Sequence, residues 1–309
     1  MFGLLVCVPQ STVCETEAFS THASRRPQGH WFLLQVPLGR SIGPASPAKG
    51  AVRVYLPAGL NPSAAHTVRA PLVVALHGWN GKAEDWDRPE ITGIADRFGL
   101  ILACPSMGRT VYESRFYPET RARWGPMPGA VFLTDVLLPF LRTRLPVRHD
   151  RSGTAIIGVS TGGRGAVVAA LRSQEFGFVA SLSGTYALDI LDPRSGEYAI
   201  HAAVFGPRSR FKKRWGSEDV VTSRHLKNLA TTRLYLAHSG NDTVVPWAQL
   251  RAFEQALRAQ GIEAQAQSVL EPEAGHTWSF WLKHIGAALS EFARSAQSGT
   301  AQAPRGSVH

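Results

Sequence analysis

Ser160 lies in Gly158-Val-Ser-Thr-Gly162, a G-x-S-x-G spacing between an apolar run, Thr154–Val159, and a helix-patterned stretch, Gly162–Arg172. That context carries more information than the five-residue pattern. A tight turn from strand to helix forces the serine into a strained conformation, and small residues at 158 and 162 relieve the crowding. The turn lifts the hydroxyl clear of the sheet and sets it at a helix N-terminus, where free N–H groups and the helix dipole favour developing negative charge. These are the requirements of acyl-transfer chemistry.

A serine hydroxyl attacks poorly until a base removes its proton, and the base needs an acid to hold its tautomer. In the chain order serine, acid, histidine, both partners sit on loops after later strands. His276, in Glu271-Pro-Glu-Ala-Gly-His-Thr-Trp278, follows the last strand pattern and precedes a helix, and is the expected base. His22, His30, His66, His77, His149, His201 and His225 lack that context, His238 ends a strand, His284 falls within a helix, and His309 is in the tail. Asp242, in the turn-rich loop His238–Pro246, is the expected acid, ahead of Asp189, Asp192 and Asp219. Two backbone N–H groups should hold the oxyanion: that of Thr161, after the nucleophile, and that of Trp79, after the strand that ends in Leu76-His-Gly-Trp79. His77, Trp86, Trp278 and Trp281 are the candidate substrate-binding side chains. An aromatic-lined cleft would suit a phenolic acyl group or a sugar face; packing of Trp278 and Trp281 against the core is the competing reading.

Positioning such a set takes a sheet whose strand ends converge. Trp31–Leu38 and Ala51–Leu56 read as the opening strands. Leu72–Leu76, Leu100–Cys104, Thr154–Val159, Arg233–Ala237 and, more weakly, Ala264–Leu270 read as strands buried on both faces. Helical spacing covers Val131–Arg144, Gly162–Arg172, Trp247–Ala259 and Phe280–Ala293. The alternation predicts an α/β fold with a doubly wound, mostly parallel sheet and helices on both faces. Ligands bind beyond the carboxyl ends of such strands. The expected organisation is an N-terminal arm over residues 1–30 and one domain over 31–294, with an excursion at 189–224 across the strand ends. A disordered Gly/Ser/Ala/Gln/Pro-rich tail is expected over 295–309.

Among 309 residues, 33 Lys and Arg outnumber 23 Asp and Glu, a net charge of +10. The excess is scattered except at Arg208–Arg214, and no nucleic-acid-binding motif accompanies that run, so it reads as a solvated loop and no nucleic-acid partner is expected. It could also steer anionic substrates. No apolar run reaches the roughly 20 residues of a membrane-spanning helix. Cys7, Cys14 and Cys104 form neither a zinc pattern nor a disulfide framework, although a Cys7–Cys14 bridge would fit an exported chain. The apolar start, Met1–Pro9, lacks a basic flank and a cleavage site, which favours the cytoplasm without excluding export. No cofactor is expected, because the chemistry requires none and no ligand spacing is present.

The chain resembles the esterase D-like branch of the α/β-hydrolases, which includes S-formylglutathione hydrolases, feruloyl esterases, enterochelin esterases and antigen 85 acyltransferases. The likeness runs from Val52 to Phe292. It rests on Val52–Pro57, Leu76-His-Gly78 with Asp85-Trp86, Thr134–Pro139, Asp150-Arg151, Ile157–Gly163, Ser181–Gly184 and Gly275–Trp281. The resemblance implies Ser160, Asp242 and His276 as nucleophile, acid and base. Thr161 and Arg164 depart from the residues common in relatives, Met or Gln and Tyr. The resulting expectation is a serine carboxylesterase that works through an acyl-enzyme on a small-molecule ester, aromatic or sugar-linked. An acyltransferase with the same triad and an inactive hydrolase-fold binding protein are the alternatives.

Overall fold

A computed structural model describes residues 28–38, 49–60, 69–117 and 127–301. The arm, apart from its last residues, and the Cys7–Cys14 pair lie outside them. Eight strands form one sheet in the order β1-β2-β4-β3-β5-β6-β7-β8. They are His30–Pro37 (β1), Lys49–Leu56 (β2), Leu72–Leu76 (β3), Ile101–Pro105 (β4), Thr154–Val159 (β5), Phe178–Leu182 (β6), Arg233–Ser239 (β7) and Ala266–Glu271 (β8). The pairs β1–β2 and β2–β4 are antiparallel, and every later pairing is parallel. This is the α/β-hydrolase architecture that the alternating pattern predicts.

Burial explains why the central strands read as continuous apolar runs. Every residue of β3, β4, β5 and β6 is buried, and alternate side chains enter different cores. Ile156 joins one core with Val167 and Leu171 of α4 (Thr161–Arg172) and Phe253 of α7 (Ala248–Ala259). Ile157 and Val159 join the other with Ile91 of α1 (Pro89–Phe98) and Ile285 and Phe292 of α8 (Trp278–Ala301). A sheet covered on both faces needs apolar residues at both parities.

Helix Val131–Arg144 is resolved into α2 (Gly129–Val131), a π-helical turn (Phe132–Leu137) and α3 (Leu138–Arg144). Four elements lie outside the spans that the sequence pattern predicts. Strand β6 is only five residues long and carries Ser181. Helix α1 has Pro at its start and Gly99 in the left-handed conformation at its end, both strong boundary signals. The excursion contains α5 (Gly196–Phe205) and α6 (Lys212–Glu218). The tail boundary is also corrected. Helix α8 continues through Ala301, and Ala296 is fully buried, with its carbonyl accepting from Arg148 Nη1 at 2.7 Å. Small residues suit a helix that packs closely, so the composition of Ser295–Ala301 does not signal disorder there. No helix among the described residues is long and apolar enough to cross a membrane.

A third cluster, Val111, Tyr117, Leu188, Leu191, Val204, Phe205 and Trp215, lies under the excursion, with Trp79 packed against it. Beside it, Glu113 is fully enclosed; burial foremost, with the nearby Glu218 charge, pushes its carboxyl up to about 8. The folded chain therefore holds a proton that the unfolded chain releases from about pH 4.5 upward, so stability falls as pH rises toward 8. The melting temperature of Glu113→Gln relative to wild type should rise between about pH 5 and about pH 9. Thermal melts showing a gap independent of pH would remove this assignment.

Candidate active site

Ser160 sits between β5 and α4 with φ of +57° and ψ of −126°, a backbone region that a side chain rarely occupies. Its neighbours leave no choice of residue. A Cβ on Gly158 would lie 2.1 Å from the Gly162 carbonyl oxygen, and one on Gly162 would lie 2.4 Å from that of Leu76. The Ser160 amide donates to the Leu182 carbonyl at 2.8 Å, which pins the turn to β6.

The two partners arrive on loops after the last two strands. Ser160 Oγ donates to His276 Nε2 at 3.0 Å, and His276 Nδ1 donates to Asp242 Oδ2 at 2.7 Å. The other carboxylate oxygen, Asp242 Oδ1, accepts from the amides of Val244 (2.9 Å) and Val245 (2.8 Å). Burial alone would raise the Asp242 carboxyl. The hydrogen bond and charge of His276, with the two amides, more than offset it and hold the group below the usual carboxylate range. Ser160 retains 8% exposure and the His276 side chain 13%, whereas the Asp242 side chain is sealed. The charge is thus fixed in a dry place while the reactive end meets solvent. Asp192 pairs with Arg194, and Asp219 accepts from Leu188 and Thr222, so these acids serve the excursion.

Thr161 opens α4, where its amide has no carbonyl one turn back to bond. The Gly78-Trp79 segment lies against the nucleophile, since a Cβ on Gly78 would fall 3.1 Å from Ser160 Cβ. The turn is closed by Gly81 N–H to the Gly78 carbonyl (3.0 Å), with Asn80 at φ +60°.

The four candidate substrate-binding side chains are redeployed. His77 is fully buried with both ring nitrogens used: Met107 N–H donates to Nε2 (2.9 Å), and Nδ1 donates to the Gly78 carbonyl (2.7 Å). Burial keeps this imidazole neutral by lowering its pKa. Trp86 is 1% exposed and belongs to the core under β3 and β4. Trp281 meets His276 edge-on with centroids 4.9 Å apart, and its indole N–H donates to Ser183 Oγ at 3.2 Å. Trp278, half-buried, stands edge-on to both Trp86 and Trp281, with the Arg88 guanidinium 4.0 Å over its ring. Trp86, Trp278 and Trp281 thus form an aromatic train that ends against His276. Indoles near a catalytic residue in sequence share its loop, and a loop must be anchored before it can present anything.

Sequence reasoning missed the polar groups that hold the base loop. Ser239 Oγ accepts from the amides of Ala274 (2.9 Å) and Gly275 (2.8 Å), and Asn241 Oδ1 accepts from Gly275 (2.7 Å). The acid loop therefore carries the base loop. Their visible signal was the Ser-Gly-Asn cluster itself, read only as a turn. Arg164 is fully buried; its guanidinium donates to the carbonyls of Val111 (3.2 Å) and Glu218 (2.7 Å) and stands 3.6 Å from the Glu218 carboxylate. This departure from relatives ties the nucleophile helix to the excursion. The basic run is partly structural too. Arg208 donates to the Leu188, Asp189 and Leu191 carbonyls, and Arg214 covers Phe211 and Tyr117.

The Esterase family model, described as "Putative esterase", matches residues 45–292. The chain belongs to the Esterase family. It is accordingly a carboxylic ester hydrolase, of the esterase D-like type that the sequence motifs resemble. It is 26% identical over 226 residues to an acetyl esterase from Caldicellulosiruptor saccharolyticus, covering 68% of this chain and 78% of that protein. Its fold matches the fluorophosphonate-binding serine hydrolase F of Staphylococcus aureus with a TM-score of 0.68 at 18% identity, over 86% of this chain and 99% of that one. An S-formylglutathione hydrolase from the same organism superposes with a TM-score of 0.66 at 17% identity, over 86% and 99%.

The elbow makes a stability prediction with an internal control. Gly162→Ala places a methyl against two carbonyl oxygens and should cost several degrees of melting temperature together with fluorophosphonate labelling. Gly93→Ala, in α1 where a methyl meets open space, should raise the melting temperature slightly. Equal melts for the two variants would contradict the steric account.

Proposed function

We propose that this esterase works through a covalent acyl-enzyme on Ser160 and that its substrates are small-molecule esters of short acyl groups. The Ser160–His276–Asp242 hydrogen-bond line carries the reading. His276 Nε2 takes the hydroxyl proton as Oγ attacks the ester carbonyl, and Asp242 stabilises the imidazolium that forms. The amides of Thr161 and Trp79 receive the negative charge on the carbonyl oxygen. His276 then protonates the departing alcohol, and the same base activates water to release the acyl group.

Short acyl groups are supported by two observations. The curated relative is an acetyl esterase. Three tryptophans near the site are spent on packing: Trp86 and Trp281 are buried, and Trp278 is stacked under Arg88. Phenolic acyl groups are therefore less favoured than short ones, while a sugar alcohol on the leaving side is compatible with the partly accessible Ser160–His276 end.

Ser160→Ala should lower kcat on p-nitrophenyl acetate by at least roughly 10⁴-fold, and Asp242→Asn by about 10²–10⁴-fold with little change in KM. A fluorophosphonate probe should label wild type and not Ser160→Ala. Acetyl esters should exceed feruloyl esters in kcat/KM. Retention of activity in Ser160→Ala would end the triad assignment, and a feruloyl preference would end the acyl assignment alone.

A further inference from the structure

His238, the last residue but one of β7, is fully buried beside the proposed catalytic acid. Its Nε2–H donates to the Val245 carbonyl at 2.8 Å and stands 3.9 Å from Asp242 Oδ2, the same oxygen that receives the His276 proton. Val245 closes the circuit, because its own amide donates to Asp242 Oδ1. Two imidazoles thus meet at one carboxylate. One reaches it directly, and the other grips the turn that presents it.

The remaining nitrogen of His238 makes the arrangement informative. Nδ1 is buried with no hydrogen-bond partner among the described residues. An unpartnered buried nitrogen costs stability that an apolar side chain of similar size would not. A residue kept at such a cost, one hydrogen bond from a catalytic carboxylate, points to a task other than packing. Charge agrees with that task. Burial lowers the His238 pKa, against the opposing pull of the Val245 carbonyl and Asp242, so the ring is neutral and leaves the Asp242 charge to His276. A cation here would compete for it.

We infer that His238 is a positioning residue for catalysis: its Nε2–H, acting through the Val245 carbonyl, fixes the acid turn so that Asp242 Oδ2 faces His276. The inference rests on the proposed triad. The titratable groups facing this pair are Asp242 and His276, with Glu197 of α5 nearby and held by Thr185 Oγ1 at 2.5 Å.

The test compares three variants with wild type and Ser160→Ala on p-nitrophenyl acetate. His238→Gln can place an amide N–H near the Nε2 position. His238→Asn is polar but too short to reach Val245, and His238→Leu has no donor. Asn and Leu should lower kcat by about 10–100-fold with KM within about twofold, and shift the acidic limb of the kcat/KM profile to lower pH, because a misplaced carboxylate supports the imidazolium less. Gln should recover most of kcat and restore the limb. His238→Leu removes the unpartnered Nδ1 but leaves the buried Val245 carbonyl without its donor, so the Gln–Asn comparison, made well below the melting temperature of both, separates the positioning role from a structural one. Wild-type kcat and pH limb in Asn or Leu would overturn the inference, as would a Gln variant as impaired as Asn. Activity surviving in Ser160→Ala would instead strike the triad itself.

Discussion

The backbone at Ser160 is the constraint on which the molecule is organised. A non-glycine residue at φ +57° costs on the order of 1–3 kcal/mol and persists only where its surroundings permit nothing else. Here the surroundings are β5 with its neighbours β3 and β6, the Ser160–Leu182 hydrogen bond, and glycines at 158 and 162 whose absent side chains let helix and strand touch. The parallel sheet, its two covered faces and the tight packing of α4 are what hold one hydroxyl in an unfavourable place.

Base and acid are held by a different principle. Neither lies on a regular element, so polar side chains supply the rigidity that loops lack. Ser239 and Asn241 fasten the base loop to the acid loop, and Trp281 braces the imidazole from Ser183. Ser183 is itself at φ +53°, so the strain at the strand ends is shared by two consecutive crossovers. Ser160 is set by sterics, and His276 and Asp242 are set by hydrogen bonds to backbone amides.

Legibility in the sequence followed the same division. The meeting of Ser160, Asp242 and His276 is legible because each follows a strand end, and buried parallel strands announce themselves as apolar runs. For Trp86, Trp278 and Trp281 the sequence leaves packing and substrate contact both open, because proximity along the chain says nothing of which way an indole turns; burial decides that, and burial belongs to the tertiary structure. His238, Ser239 and Asn241 were passed over because a side chain that bonds an amide some 35 residues away (Ser239 to Gly275) leaves no local pattern. The end of α8 was misplaced for a related reason: small residues pack or fray according to what stands opposite.

The excursion between β6 and β7 leaves and re-enters the domain at one point, because Asp219 Oδ2 accepts from the Leu188 amide at 2.6 Å. Its interior is built on Phe205 and Trp215, which pack with Val111 and Tyr117 of the scaffold beneath, and is stapled by Arg208 and Arg214. A segment whose two ends are already joined can change length or content without stretching the scaffold beneath it. Grafting different inserts between Leu188 and Glu218, with the Arg164 anchor retained, is the route by which this framework could acquire new selectivity while its chemistry stays in place.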